Sequence, residues 1–200
     1  MTENVASPPA AGADTRPGLF KALALAGETI ANVRPDQYGA ASPCPEYDAE
    51  KLVRHLIAVV RRMTVAASGG NPFTVELFAD EVPAADWGTA WKDGVRDAEA
   101  AWSKPGMLGT MCQLGFTTLP GVAAAVAYTT EVTIHTWDLA KATGQQPAWD
   151  PAVLAPSLGA MRFAVPATPR TAPVPFGPVV EVPADAPPID QLVAWYGRRP

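Results

Sequence analysis

The sequence predicts an all-α protein, a four-helix bundle with a short extended piece and a proline-rich C-terminal wrap. Two observations carry this. The 22 prolines among 200 residues leave four uninterrupted windows of more than fifteen residues, at 18–34, 46–71, 84–104 and 121–146. Proline removes an amide donor and clashes with the preceding turn, so these windows are where helices can form. Beyond them the chain changes character, because 12 of the 22 prolines fall in residues 147–200. A 48% hydrophobic content is enough to build a core, and 18% charged residues is too few for a disordered polyelectrolyte.

In the first window Leu19, Phe20, Leu23, Leu25, Ala26, Ile30 and Val33 recur at spacings of three and four, the pattern of an amphipathic helix ending near Arg34-Pro35. The second carries Leu52, Val53, Leu56, Ile57, Val59, Val60 and Met63, with Asp48 placed as N-cap and Gly69-Gly70 as the stop. The third opens at Asp86, places Trp87, Trp91, Val95, Ala98 and Trp102 near one face, and ends at Pro105-Gly106. The fourth runs from Gly121 to Thr143 and stops at Gly144. Between the third and fourth, the glycines of 107–119 disfavour a helix and leave an extended piece at Gln113 to Phe116. A short helix fits at 151–164 despite Pro156, and another at Asp190 to Tyr196. Pro173, Pro175, Pro178 and Pro183 keep the segment between them extended over the bundle. The expected division is a mobile arm at 1–16, the bundle at 17–146 and a packed extension at 147–200.

Composition also excludes function classes. A net charge of -5, a pI near 5.0 and no basic stripe argue against nucleic acid. The apolar stretches are broken before the roughly 18 residues that span a bilayer, so no membrane role is expected. Residues 1–17 lack the basic and apolar regions of a signal peptide, which makes a cytoplasmic chain the expectation. Cys44 and Cys112 are far apart and outside any CxxC spacing, so reduced thiols are expected, and a redox or anti-sigma-like sensor lacks its Cys/His cluster.

Only two histidines occur. On the fourth helix Glu131 and His135 stand four apart, on one face, and Asp138 continues that stripe, placed to orient His135 from behind. His55 lies at the edge of the apolar stripe of the second helix and points inward. Two imidazoles and one carboxylate form a metal-ligand set with an open position, as in catalytic zinc sites. The plainer reading also stands: a helical Glu-x3-His arises by chance, and a histidine near an apolar face is commonly a hydrogen-bonded core residue. Cys44 precedes a helix start, which can acidify a thiol, or it packs as a small hydrophobe. Cys112 has no context that assigns it. Trp87, Trp91 and Trp102 read as core or groove wall. Arg54, Arg61 and Arg62 read either as receptors for substrate carboxylates or as a solvated helix face.

The stretch Ser42-Pro-Cys-Pro-Glu-Tyr-Asp-Ala-Glu-Lys-Leu-Val-Arg-His55 resembles the T-P-C-x-x-W-x-v-x-x-L-x-x-H motif of the mycothiol-dependent maleylpyruvate isomerase family, within the DinB-like metalloprotein superfamily. Thr130-Glu-Val-Thr-Ile-His-Thr-Trp-Asp-Leu-Ala-Lys-Ala-Thr-Gly144 resembles that family's E-x-x-x-H-x-W-D-L-A-x-A-T-G motif. Phe176-Gly177, Val182 to Pro188 and the Tyr-Gly-Arg-Arg-Pro ending resemble a subgroup of small actinobacterial metal-binding members. The resemblance implies a DinB-like four-helix bundle holding a divalent metal, usually zinc with nickel as an alternative, on His55, Glu131 and His135. It also implies mycothiol as cosubstrate, a small-molecule thiol acting on a small electrophilic substrate. The sequence departs from the pattern at Ser42, usually Thr, at Tyr47, usually Trp, and in having no counterpart of the isomerase's own C-terminal domain. The reaction expected is thiol transfer or isomerisation through a metal-bound thiolate, by a monomer or homodimer. The alternatives are hydrolysis by metal hydroxide, with Asp138 as proton acceptor, and a non-catalytic protein in which the ion clamps two helices.

Overall fold

In a computed structural model of the chain, residues 13–115, 117–165, 167, 170 and 177–200 are described. Helices α1 (Arg16–Ala31), α2 (Ala49–Ala67), α3 (Trp87–Trp102) and α4 (Gly121–Thr143) form the bundle, followed by α5 (Pro151–Ala164) and α6 (Pro188–Trp195). The arm expected at 1–16 falls mostly outside the described residues, and Arg16 already belongs to α1. α1 and α2 each pack on both α3 and α4. The four helices therefore close a ring in which α1 and α2 face each other diagonally.

Helix ends follow local chemistry. The Asp48 carboxylate accepts from the Lys51 amide at 2.9 Å, fixing the start of α2, and Gly70 N–H bonds back to the Val65 carbonyl at 3.0 Å to end it. These caps make α2 shorter than its proline-free window of 46–71. A single 3₁₀ turn at Ala84–Asp86 likewise takes up the start of the third window, and another at Pro35–Gln37 follows the first.

The extended piece differs from expectation. Met111–Gln113 (β1) pairs antiparallel with Thr118–Pro120 (β2) in the register Met111↔Pro120, Cys112↔Leu119 and Gln113↔Thr118. The strand thus begins two residues before Gln113 and has a partner. The chain reverses through Gly115, and Leu114 N–H bonds to the Thr117 carbonyl at 2.8 Å. Phe116 lies outside the described residues.

The main core joins Leu19, Leu23, Leu52, Leu56, Val60, Met63 and Leu139 to three tryptophans, Trp87, Trp91 and Trp102. Trp102 Nε1–H donates to the Met63 carbonyl at 3.2 Å and ties α3 to α2, so these tryptophans are core. A second cluster lies on the outer side of α4, where Ile134 and Trp137 pack with Leu154, Met161, Ile189, Leu192, Val193 and Tyr196. The C-terminal region is therefore a two-helix layer. Its expected extended course at Pro173 and Pro175 lies outside the described residues, whereas residues 177–183, including Pro178 and Pro183, are without helix or strand. Covered on both sides, α4 buries residues around nearly its whole circumference. Its threonines Thr129, Thr130, Thr133, Thr136 and Thr143 satisfy their hydroxyls on carbonyls one turn back, each at 2.7 Å.

Candidate metal centre

The packing of α2 on α4 brings His55 opposite Glu131 and His135. His55 Nε2 stands 3.3 Å and His135 Nε2 3.5 Å from Glu131 Oε1, and one ligand atom from each of the three residues lies within 4.8 Å of the others. Bonds of about 2.0–2.1 Å at tetrahedral angles place ligand atoms about 3.3–3.4 Å apart, so both nitrogen–oxygen separations suit one zinc-sized ion.

The outer nitrogens are committed. His55 Nδ1 lies 3.0 Å from the Leu77 carbonyl oxygen and His135 Nδ1 lies 3.1 Å from Asp138 Oδ2. A carbonyl and a carboxylate only accept, so each Nδ1 carries a proton, and a neutral ring held this way presents its lone pair from Nε2. That donor set fits a divalent cation. Both imidazoles are buried, whereas the Glu131 side chain keeps 36% exposure, so the site opens to solvent at this carboxylate. Tyr47 and Phe78 wall this region: their ring centroids lie 5.3 and 6.0 Å from that of His55. Tyr47, which replaces the expected Trp, also stands 6.0 Å from His135.

The electrostatics follow from this arrangement. Burial would raise the Glu131 carboxyl, but the two facing imidazoles override it and hold Glu131 well below the usual carboxylate range. Burial would lower His135, but the Asp138 and Glu131 carboxylates on either side push it up to about 9. Asp138 is fully buried and held by Arg198, with Nη2 to Oδ2 at 3.0 Å and Nε to Oδ1 at 3.3 Å. Both Asp138 oxygens are thus engaged.

Several residues are placed differently from their sequence readings. The three arginines pin the loop that crosses α2. Arg54 donates to the carbonyls of Ala79, Asp80 and Val82, Arg61 pairs with Glu81, and Arg62 donates to the Val75 carbonyl. That loop supplies the Leu77 carbonyl to His55. Cys44 is half-buried beside His135 and Asp138, with ligand atoms of the three within 4.8 Å. Burial raises its thiol, aided by Asp138 and opposed by Arg198, so the helix start does not acidify it. Ser42, which replaces Thr, keeps the hydroxyl function: its Oγ accepts from the Cys44 amide at 3.0 Å and donates to the Tyr47 carbonyl, folding the loop that places both residues. Cys112 is buried in β1, where burial raises its thiol. Arg198, Leu77 and Phe78 escaped the sequence reading because their roles arise only from tertiary contact.

An all-α bundle that converges two imidazoles and a carboxylate from facing helices has the architecture of the DinB-like metalloproteins. Residues 21–140 match the mycothiol maleylpyruvate isomerase N-terminal domain, and the chain belongs to that metal-binding family. It is also 33% identical over 173 residues to an uncharacterized protein found in two strains of Mycobacterium tuberculosis, across 84% of this chain and 89% of that one. No solved structure matches the chain. No helix among the described residues is long and apolar enough to cross a membrane.

Proposed function

We propose that the chain is a metal-dependent, mycothiol-using enzyme in which His55, Glu131 and His135 hold a divalent cation, zinc or nickel. The supporting observation is the donor set: two Nε2 atoms fixed by committed Nδ1 protons and facing one carboxylate oxygen at 3.3 and 3.5 Å. A cation held there supplies the positive charge that keeps a thiol reaching its open side deprotonated near neutral pH.

The residues around that position define the rest. Asp138 holds the His135 ring, and the Leu77 carbonyl holds that of His55, so neither imidazole has to reorganise as substrate arrives. The opening beside Glu131 admits the thiol, and Tyr47 and Phe78 present ring surface to the electrophile. In thiol transfer the sulfur forms a bond to an electrophilic carbon, the leaving group departs with its bonding pair, and the thiol proton passes to solvent. In isomerisation the sulfur adds to a conjugated double bond, the carbon–carbon bond turns, and elimination returns the thiol.

Elemental analysis tests the ligand assignment: wild-type protein carries one equivalent of metal and His135→Ala carries none. Stoichiometric metal in His135→Ala overturns it. The enzymatic reading is tested with metal-replete protein, mycothiol and a panel of small electrophiles, following thiol consumption by mass spectrometry. Consumption above the His135→Ala control is expected. Equal rates in the two proteins, together with a large loss of melting temperature on chelation, would instead make the ion a structural clamp.

A further inference from the structure

The Tyr-Gly-Arg-Arg-Pro ending has a defined shape. α6 closes with Gly197 N–H on the Ala194 carbonyl and Arg198 N–H on the Val193 carbonyl, each at 3.0 Å, the paired bonds of a Schellman cap. Gly197 sits at φ 83°, and a Cβ there would lie 2.9 Å from Gly177 Cα, so conformation and space both require glycine. This turn directs Arg198 back across the second core to α4. There its planar fork meets both oxygens of Asp138, at 3.0 and 3.3 Å. The Arg198 side chain is 12% exposed and that of Asp138 is 0% exposed, so the pair is shielded from water.

A carboxylate with one partner can swing about its terminal torsion, whereas a carboxylate gripped by a guanidinium fork cannot. Asp138 Oδ2, held in this way, accepts the His135 Nδ1 proton at 3.1 Å. Resting on the ligand assignment proposed above, we infer that Arg198 is a positioning residue of the metal centre, fixing the plane of the His135 ring through Asp138. The C-terminal cap is then a working part of a site whose ligands all lie between residues 55 and 135. Arg198 also lies outside residues 21–140, the stretch that matches the family, so this support belongs to the extension.

The test uses the full chain, with zinc affinity from chelator competition and the visible spectrum of the cobalt(II)-loaded protein as readouts. Arg198→Met should weaken zinc binding by about ten- to hundredfold, the usual effect of losing a group that orients a ligand, and alter the cobalt ligand-field bands. Arg198→Lys, which keeps the charge without the fork, should fall between. Gly197→Ala, which keeps the guanidinium but displaces it, should weaken binding as well. Melting of the metal-free variants reports any loss of fold, and if Arg198→Met does not fold the lysine variant decides. Wild-type affinity and spectrum in a folded Arg198 variant overturn this inference and leave the ligand assignment intact. A wild-type chain that takes up neither zinc nor cobalt overturns both.

Discussion

His135 is the imidazole of the site held between two carboxylates: Glu131 on Nε2 and Asp138 on Nδ1, with the rings of His55 and Tyr47 beside it. In the metal-free protein this has a pH signature. The folded ring is pushed up to about 9 from an ordinary 6.5 because its carboxylate neighbours outweigh burial. A folded pKa above the unfolded one means that the fold prefers the protonated ring. The resulting stabilisation is complete below about 6.5 and disappears as pH rises through about 9. In the presence of chelator, the melting temperature should therefore fall across that window, and His135→Gln should lack this slope. A wild-type melting temperature that stays level from pH 6.5 to 9 would contradict the protonated state. With metal present the trend reverses, because the cation has to displace the Nε2 proton and so binds more tightly as pH rises.

Among the elements, the contact between α2 and α3 is set by a missing side chain. Gly94 is buried, and a Cβ there would lie 2.5 Å from Val60 Cγ1, a stiff β-branched group with no exposure. Gly94→Ala should therefore destabilise the protein by about 1–3 kcal/mol through overpacking, although alanine is the better helix former by about 1 kcal/mol. Combining it with Val60→Ala should recover part of the loss, which denaturant midpoints can measure as a coupling. How far each element could be read depends on which forces are local. α2 was legible because Asp48, Gly69 and an apolar stripe all act within it. α4 was legible only from its freedom from proline, since a helix buried on every side has no polar face to give a period. The β1–β2 pairing was not legible, because its partner residues Thr118 and Leu119 carry no strand pattern of their own. The same distinction governs the site. Glu131 and His135 follow from helical spacing and His55 from its face, whereas the Leu77 carbonyl and Arg198 reach the imidazoles through contacts that no local pattern encodes.

For the whole molecule, α4 is shared property: one side belongs to the bundle core and the other, with Ile134 and Trp137, to the α5–α6 layer. Leu192 is fully buried in that second cluster, and Leu192→Ala should cost about 2–5 kcal/mol. Because Arg198 follows α6 directly, the same substitution should also weaken zinc binding. Coupling of this kind is reciprocal, so loading the protein with zinc should slow amide hydrogen exchange in α6 as well as in α2 and α4. Exchange in α6 that is indifferent to metal would show that the C-terminal layer and the site are energetically separate.

The spacing of the three proposed ligands along the chain sets an order of events when the protein is made. Glu131 and His135 are one helical turn apart and come together as soon as α4 forms, while His55 and Glu131 are 76 positions apart and meet only when a long loop closes. On the proposed ligand assignment, a cation added during refolding should therefore be captured first by the α4 pair and gain its third ligand as α2 docks. Metal uptake should show two kinetic phases, with the slower one following the assembly of the bundle.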